Sequence, residues 1–133
     1  MSPSPDDGPK GIPPKLQVQA VLPPPRDTPV YLVDDDETVL EALQFFLEER
    51  GYRVTGFVDP VLARDAIADE PPHLVIIDRN MPRLGGFDLA RIALEEDPDI
   101  AVVILTGARD VELAIEAFRL GAADYLLKPL DFG

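Results

Sequence analysis

Short apolar runs and amphipathic stretches alternate along residues 30–133, and this alternation leaves the chain few architectures to adopt. Residues 30–33 form a short apolar run that reads as a strand. Residues 38–50 place Val39, Leu40, Leu43, Phe46 and Leu47 on one helical face, and Gly51 ends the helix. Residues 52–58 form a second strand pattern. Asp59 and Pro60 read as an N-cap and first-turn proline of a helix running to about Asp69. After Pro71-Pro72 come a strand at 73–78, a loop, a helix at 87–96, a strand at 100–106, a helix at 110–120 stopped by Gly121, and a strand at 124–129. Strands joined by helical crossovers run parallel, and a sheet covered on both faces has near-continuous apolar strands such as LVII and AVVIL. The pattern predicts an α/β fold with a doubly wound, five-stranded parallel sheet.

Residues 1–29 have a different character. They hold 9 of the 15 prolines, and Lys10, Lys15 and Arg26 balance Asp6, Asp7 and Asp27. The net charge of −13 therefore belongs wholly to residues 30–133. Such a proline density reads as an extended, disordered tail or linker. Within it KLQVQAVL (15–22) alternates apolar and polar residues, and is read as a spacer in preference to a docked strand.

In a parallel α/β sheet, ligands bind outside the carboxyl ends of the strands. The first strand ends in Asp34-Asp35-Asp36, the third in Asp78, the fourth in Thr106 and the fifth in Lys128. Clustered carboxylates make a hard-oxygen site for a divalent cation such as Mg²⁺, which would offset their mutual repulsion. A carboxylate beside a metal and a lysine can attack a phosphoryl group, the cations and a hydroxyl stabilising charge on its oxygens. On this reading Asp78, alone on the central strand, is the nucleophile, and the acidic pair on the first strand holds the metal.

The bulk properties narrow the class further. The acidic charge argues against direct nucleic-acid binding. There is no cysteine, and no apolar run of about 18 residues that could cross a membrane. The N-terminus lacks the basic-then-apolar order of a signal peptide, so a cytoplasmic location is expected. Neither GxGxxG nor GxxxxGK[ST] occurs, which disfavours nucleotide binding.

Four motifs together, LVDDDE (32–37), LVIIDRNMPRLGG (74–86), VVILTG (102–107) and GAADYLLKP (121–129), resemble the receiver domain of two-component response regulators. The resemblance covers residues 30–130 in the family's order and spacing. It implies the flavodoxin-like strand order 2-1-3-4-5, with Asp78 as phosphoacceptor. It implies that Asp34, Asp35, Asp78 and the backbone carbonyl of Asn80 hold Mg²⁺, with Asp35 the direct ligand and Asp34 acting through water. Thr106 matches the switch hydroxyl, Tyr125 the switch aromatic, and Lys128 the lysine that pairs with the phosphoryl group, followed by a cis peptide bond to Pro129. The implied partners are a histidine kinase or histidine phosphotransfer protein and a downstream effector domain or protein.

The family's fold has a fifth helix after the fifth strand. Here the sequence stops at LDFG, with Asp131 where that helix's N-cap would stand. The chain is accordingly expected to be a piece of a longer protein with one sheet face left bare, either destabilised or associating through that face as a homodimer.

Other residues have plainer readings. Asp36 and Glu37 suit the first turn of a helix through its dipole. His73 is a lone histidine before a strand. Gly85 and Gly86 read as turn glycines with positive φ. EEDPD (95–99) reads as a solvated helix end. Two rival functions remain: a scaffold that acts without phosphorylation, and a phosphohydrolase of the haloacid-dehalogenase type. The second needs an aspartate two residues after Asp78, where this chain has Asn80.

Overall fold

The computed structural model describes residues 28–107 and 111–130. The proline-rich residues 1–27, Asp110 and Asp131 lie outside them. The elements run β1 (Pro29–Val33), α1 (Glu37–Glu48), β2 (Arg53–Phe57), α2 (Pro60–Asp69), β3 (Leu74–Asp78), α3 (Gly86–Glu96), β4 (Ala101–Gly107), α4 (Val111–Leu120) and β5 (Asp124–Lys128). All neighbouring strands are parallel and their order is β2-β1-β3-β4-β5. The alternation read from the sequence is present element for element, with boundaries moved by one or two residues.

Local signals set the helix ends. Asp36 caps α1, its Oδ1 accepting from the Thr38 amide at 2.9 Å, and Asp59 caps α2 by accepting from Val61 N at 2.9 Å. Gly51 (φ +94°) follows α1 and Gly121 (φ +111°) follows α4, a backbone region that glycine enters without steric cost.

Strand alternation divides the interior into two clusters. Tyr31, Val33, Val75, Ile77, Val102, Ile104 and Tyr125 meet Ala63 and Ile67 of α2 and Leu89, Ala90 and Ala93 of α3. On the other face Val30, Leu32, Leu74, Ile76, Val103, Leu105 and Leu126 share a cluster with Leu40, Leu43, Phe46 and Leu47 of α1. α4 packs beside α3 and against β4 and β5. Each fully buried aliphatic side chain contributes about 1.5–3 kcal/mol relative to an exposed one. The two clusters thus dominate the favourable free energy of the fold.

One expectation is revised here. Gly85 and Gly86 were expected at positive φ. Gly85 instead has φ −70° as the residue preceding α3, and Gly86 is not among the positive-φ residues described. Gly86 is small for another reason. A Cβ there would collide with the Asp78 carbonyl oxygen and come within 2.7 Å of Arg79 Cα. The start of α3 is drawn this close because Gly86 N donates to Arg79 O at 3.0 Å.

Gly86→Ala is therefore expected to destabilise the domain by about 1–3 kcal/mol, as overpacking against backbone does. Gly85→Ser should be nearly neutral, because the nearest atom to its Cβ, Asp88 Oδ2, is 3.9 Å away and α3 has no side-chain cap. Thermal unfolding of the two variants tests this, and equal melting temperatures would remove the close-approach argument.

Candidate functional site

Parallel register brings the polar strand ends to one edge. Val33 pairs with Ile77, so Asp34 follows β1 beside Asp78 at the end of β3. Gly107 pairs with Lys128 at the ends of β4 and β5. Side-chain alternation then selects the face. Asp34 extends the series Val30–Leu32, Asp78 extends Leu74–Ile76, and Lys128 extends Leu126, all on the α1 face. The acid–base group is the polar continuation of an apolar stripe.

Asp34 and Asp78 are almost completely buried, at 1% and 6% exposure. Lys128 Nζ lies 3.1 Å from Asp34 Oδ2 and 3.1 Å from Asp78 Oδ1. Asp34 Oδ1 accepts from the Asp36 amide at 2.9 Å. Its other oxygen, Oδ2, is enclosed and pairs with the ammonium by charge, without a well-aligned hydrogen bond. Asp35 is exposed, and carboxylate oxygens of Asp34, Asp35 and Asp78 lie within 4.8 Å of one another. One ammonium thus pairs with two carboxylates, with a third beside them.

The titration behaviour follows. Burial pushes the Asp78 carboxyl above its ordinary value, and the Asp34 charge pushes it further, while Lys128 pulls part of the shift back. Burial likewise raises Asp34 against the pull of the Asp36 amide and Lys128. Burial alone would lower Lys128, but the two carboxylates outweigh it and hold its pKa above the ordinary lysine value.

Asn80 lies two residues beyond Asp78 in the loop, exposed, with Oδ1 accepting from Arg79 Nη1 at 2.7 Å. Thr106 is 2% exposed near the same edge, pairing with Leu127. By alternation it continues Val102 and Ile104, on the α2–α3 face. Tyr125, 2% exposed, pairs with Ile104 and lies in that same cluster. The structure thus gathers Asp34, Asp35, Asp78 and Lys128, buries Thr106 at the end of β4 near the same edge, and places Tyr125 in the cluster on the α2–α3 side. Asp36 and Glu37 sit at the start of α1, as their plainer reading expected, and His73 is exposed before β3. The Lys128–Pro129 peptide bond is cis.

Sequence reasoning missed one feature of the loop after β3. Arg83 has φ +74°, unusual for a residue with a side chain, and its Nη1 pairs with Asp59 Oδ2 at 3.0 Å. Nothing in the string MPRLGG marks arginine as the left-handed residue.

A family model described as the response regulator receiver domain matches residues 30–133. The chain belongs to the response regulator receiver family. It is 38% identical over 104 residues to the phosphoglycerate transport system transcriptional regulatory protein PgtA of Salmonella typhimurium, covering 78% of this chain and 25% of that protein. It is 38% identical over 107 residues to the transcriptional regulatory protein FixJ of Azorhizobium caulinodans, covering 80% of this chain and 51% of FixJ. The chain therefore spans between a quarter and about half the length of these curated relatives. Among solved structures, a response regulator receiver domain protein from Clostridium thermocellum superposes with a TM-score of 0.74 at 33% identity, over 79% of this chain and 85% of that one. The receiver domain of NtrX from Brucella abortus does so with a TM-score of 0.73 at 30% identity, over 77% and 88%. The fold and the signalling family read from the motifs are thus the observed ones.

The raised carboxyl pKa values have a definite consequence for stability. Between the unfolded value of 3.8 and the higher folded value, the native state binds more protons than the unfolded state. Stability contributed by Asp78 therefore falls as pH rises through that window, and at neutral pH the buried charge is a cost. Asp78→Asn is expected to raise the melting temperature at pH 7 in chelator, by about 4–8 °C for each kcal/mol relieved. The gain should shrink as pH falls below the folded pKa. Melts at both pH values check it, and an unchanged or lowered melting temperature at neutral pH would refute the cost.

Proposed function

We propose that Asp78 accepts a phosphoryl group from a phosphohistidine on a histidine kinase or histidine phosphotransfer protein. The observation that supports this most is the Lys128 ammonium 3.1 Å from both Asp34 and Asp78 beside a third carboxylate. A carboxylate oxygen of Asp78 attacks phosphorus, the new O–P bond forming as the donor N–P bond breaks. The electron pair returns to the imidazole nitrogen of the donor. Lys128 sits where it offsets charge on the incoming phosphoryl oxygens, and its elevated pKa keeps it protonated in neutral solution.

The donor set fits Mg²⁺. It is all oxygen, it carries three carboxylates within 4.8 Å of one another, and the enclosed Asp34 Oδ2 meets the Lys128 ammonium without a well-aligned hydrogen bond. Asp34, Asp35, Asp78 and the backbone carbonyl of Asn80 would hold the ion, with Asp35 in direct contact and Asp34 through water. When bound, it supplies positive charge to the carboxylates and to the phosphoryl oxygens.

Thr106 is the hydroxyl read as turning toward the phosphoryl group, with Tyr125 following. Because Tyr125 belongs to the cluster on the α2–α3 side of the sheet, this movement would carry the state of the α1-face site across the sheet to a downstream effector. This is the behaviour of a cytoplasmic signalling domain that catalyses only its own phosphotransfer and dephosphorylation, with residues 30–133 as the receiver unit. No helix among the described residues is long and apolar enough to cross a membrane.

Incubation with Mg²⁺ and acetyl phosphate, followed by intact-protein mass spectrometry, should add one phosphoryl group to the chain. Asp78→Asn should take up none, and chelator should abolish the gain. Phosphorylation of the Asp78→Asn variant to the same extent would rule out Asp78. No gain in a protein that still binds Mg²⁺ would favour the scaffold reading.

Mg²⁺ alone should also raise the melting temperature of the unmodified chain. At a hundredfold excess over its dissociation constant the ion adds about 2.7 kcal/mol. Asp34→Asn/Asp35→Asn should lose that shift, and retention of it would place the ion elsewhere.

A further inference from the structure

The loop between β3 and α3 carries Asn80, and it is pinned at both ends. Arg79 N donates to Leu105 O at 2.9 Å, which ties its start to β4. Gly86 N donates to Arg79 O at 3.0 Å and closes residues 80–85 into a single excursion. Among the described residues, the excursion's one internal backbone hydrogen bond runs from Leu84 N to Pro82 O at 2.8 Å. A bond that spans two residues closes a γ-turn, and the central residue, Arg83, has φ +74°. Positive φ marks the rare and strained form of this turn. A residue with a side chain holds such a conformation only where its surroundings enforce it, and such residues gather at functional sites.

Two kinds of contact enforce it here. Met81 is buried in the α2–α3 cluster and Leu84 packs against the same cluster, so core packing holds the turn on both sides. Between them the Arg83 side chain points outward and meets Asp59 at the start of α2, Nη1 to Oδ2 at 3.0 Å. Asp59 uses both carboxylate oxygens, because its Oδ1 accepts from Val61 N at 2.9 Å and caps α2. The partner of Arg83 is thus itself fixed to a helix end. The two side chains are 62% and 26% exposed, and an ion pair so open to water adds little to the stability of a fold. Its effect lies in where it holds the loop. Asn80 is three residues before Arg83, with buried Met81 between them, so a shift of the turn is passed directly to the Asn80 backbone.

We propose that the Arg83–Asp59 pair is a latch that fixes the loop after β3 and so sets the Asn80 backbone carbonyl for Mg²⁺. Arg83 forms its ion pair with Asp59 and not with a carboxylate of the site, so both are positioning residues. The inference rests on the Mg²⁺ reading under the proposed function, and adds to it two residues from outside the acidic cluster.

Calorimetric titration of the 133-residue chain with Mg²⁺ tests it, beside Arg83→Gln and Asp59→Asn. Each variant removes one charge of the pair, and asparagine still caps α2. Both should bind Mg²⁺ about tenfold more weakly, as when an outer partner of a metal site is lost. The double variant should be no weaker than either single one, because the two act through one contact. Melting temperatures in chelator should stay close to that of the parent. Hydrogen exchange in chelator should quicken in peptides covering residues 79–86 of both variants and stay unchanged in β2. Charge acting through space predicts a different pattern. Loss of the Arg83 cation would then tighten Mg²⁺ binding while loss of the Asp59 carboxylate weakened it, and such opposite shifts overturn the latch. Affinity equal to the parent's in both variants, or unchanged exchange at residues 79–86, also overturns it and leaves the Mg²⁺ reading standing. A parent chain that takes up no Mg²⁺ overturns both. Should Arg83→Gln fail to fold, Arg83→Gly, which has no steric cost at positive φ, carries the same comparison.

Discussion

Lys128 reaches from the end of β5 to place its ammonium 3.1 Å from carboxylates at the ends of both β1 and β3. Two carboxylates buried this deeply would be costly without a cation, because loss of solvent pushes each toward its protonated form, the Asp34 charge adds to this at Asp78, and the Asp35 charge adds to it at both. One ammonium offsets this only in part. On the proposed reading, the residual negative charge would give the site affinity for a further cation and leave room for the charge redistribution that phosphoryl transfer brings. A fully neutralised cluster would be more stable and chemically inert.

Such a site is possible because its members come from three different strands that the sheet holds rigidly. The strand order sets β3 between β1 and β4, so Asp34 and Asp78 are neighbours while Lys128 approaches from two strands beyond. Alternation puts all three on one face, as extensions of the stripes through Leu32, Ile76 and Leu126. Thr106 and Tyr125 fall on the other parity, and Tyr125 shares the cluster with Ile104.

Most of this was legible in the chain itself. A run such as LVIID states both that a strand is buried on two faces and that it ends in a carboxylate, and parallel topology then makes every strand end a neighbour of the others. Asp59 and Asp36 were legible as caps because their side chains act over two residues. The features that escaped depend on distant contacts. Gly86 reads as a turn glycine until the backbone of Asp78 and Arg79 is seen against it, and no periodicity encodes that proximity. Arg83 occupies the left-handed region through the geometry of its loop, and its partner Asp59 is 24 residues away. The burial of Leu105 and Leu126 is of the same kind, since the pattern of β4 and β5 says that these faces are apolar but not what lies on them.

The apolar stripe and the charged site are mechanically one object. Asp34, Asp78 and Lys128 stand directly above Leu32, Ile76 and Leu126, so their separations are only as constant as the packing beneath them. Repulsion between Asp34 and Asp78 acts to spread β1 from β3, and the attraction of both for Lys128 acts to draw β5 inward. Among the described strands β5 lies at an edge, with a ladder on one side, and it is the member of the set least restrained by hydrogen bonds. Its position depends correspondingly more on side-chain burial, chiefly Leu126 on the α1 face and Tyr125 on the other, both at most 2% exposed. A receiver fold with Leu126 open to water would let the ammonium drift from the carboxylates it neutralises. The burial of Leu126 is therefore a condition for the electrostatics of the site.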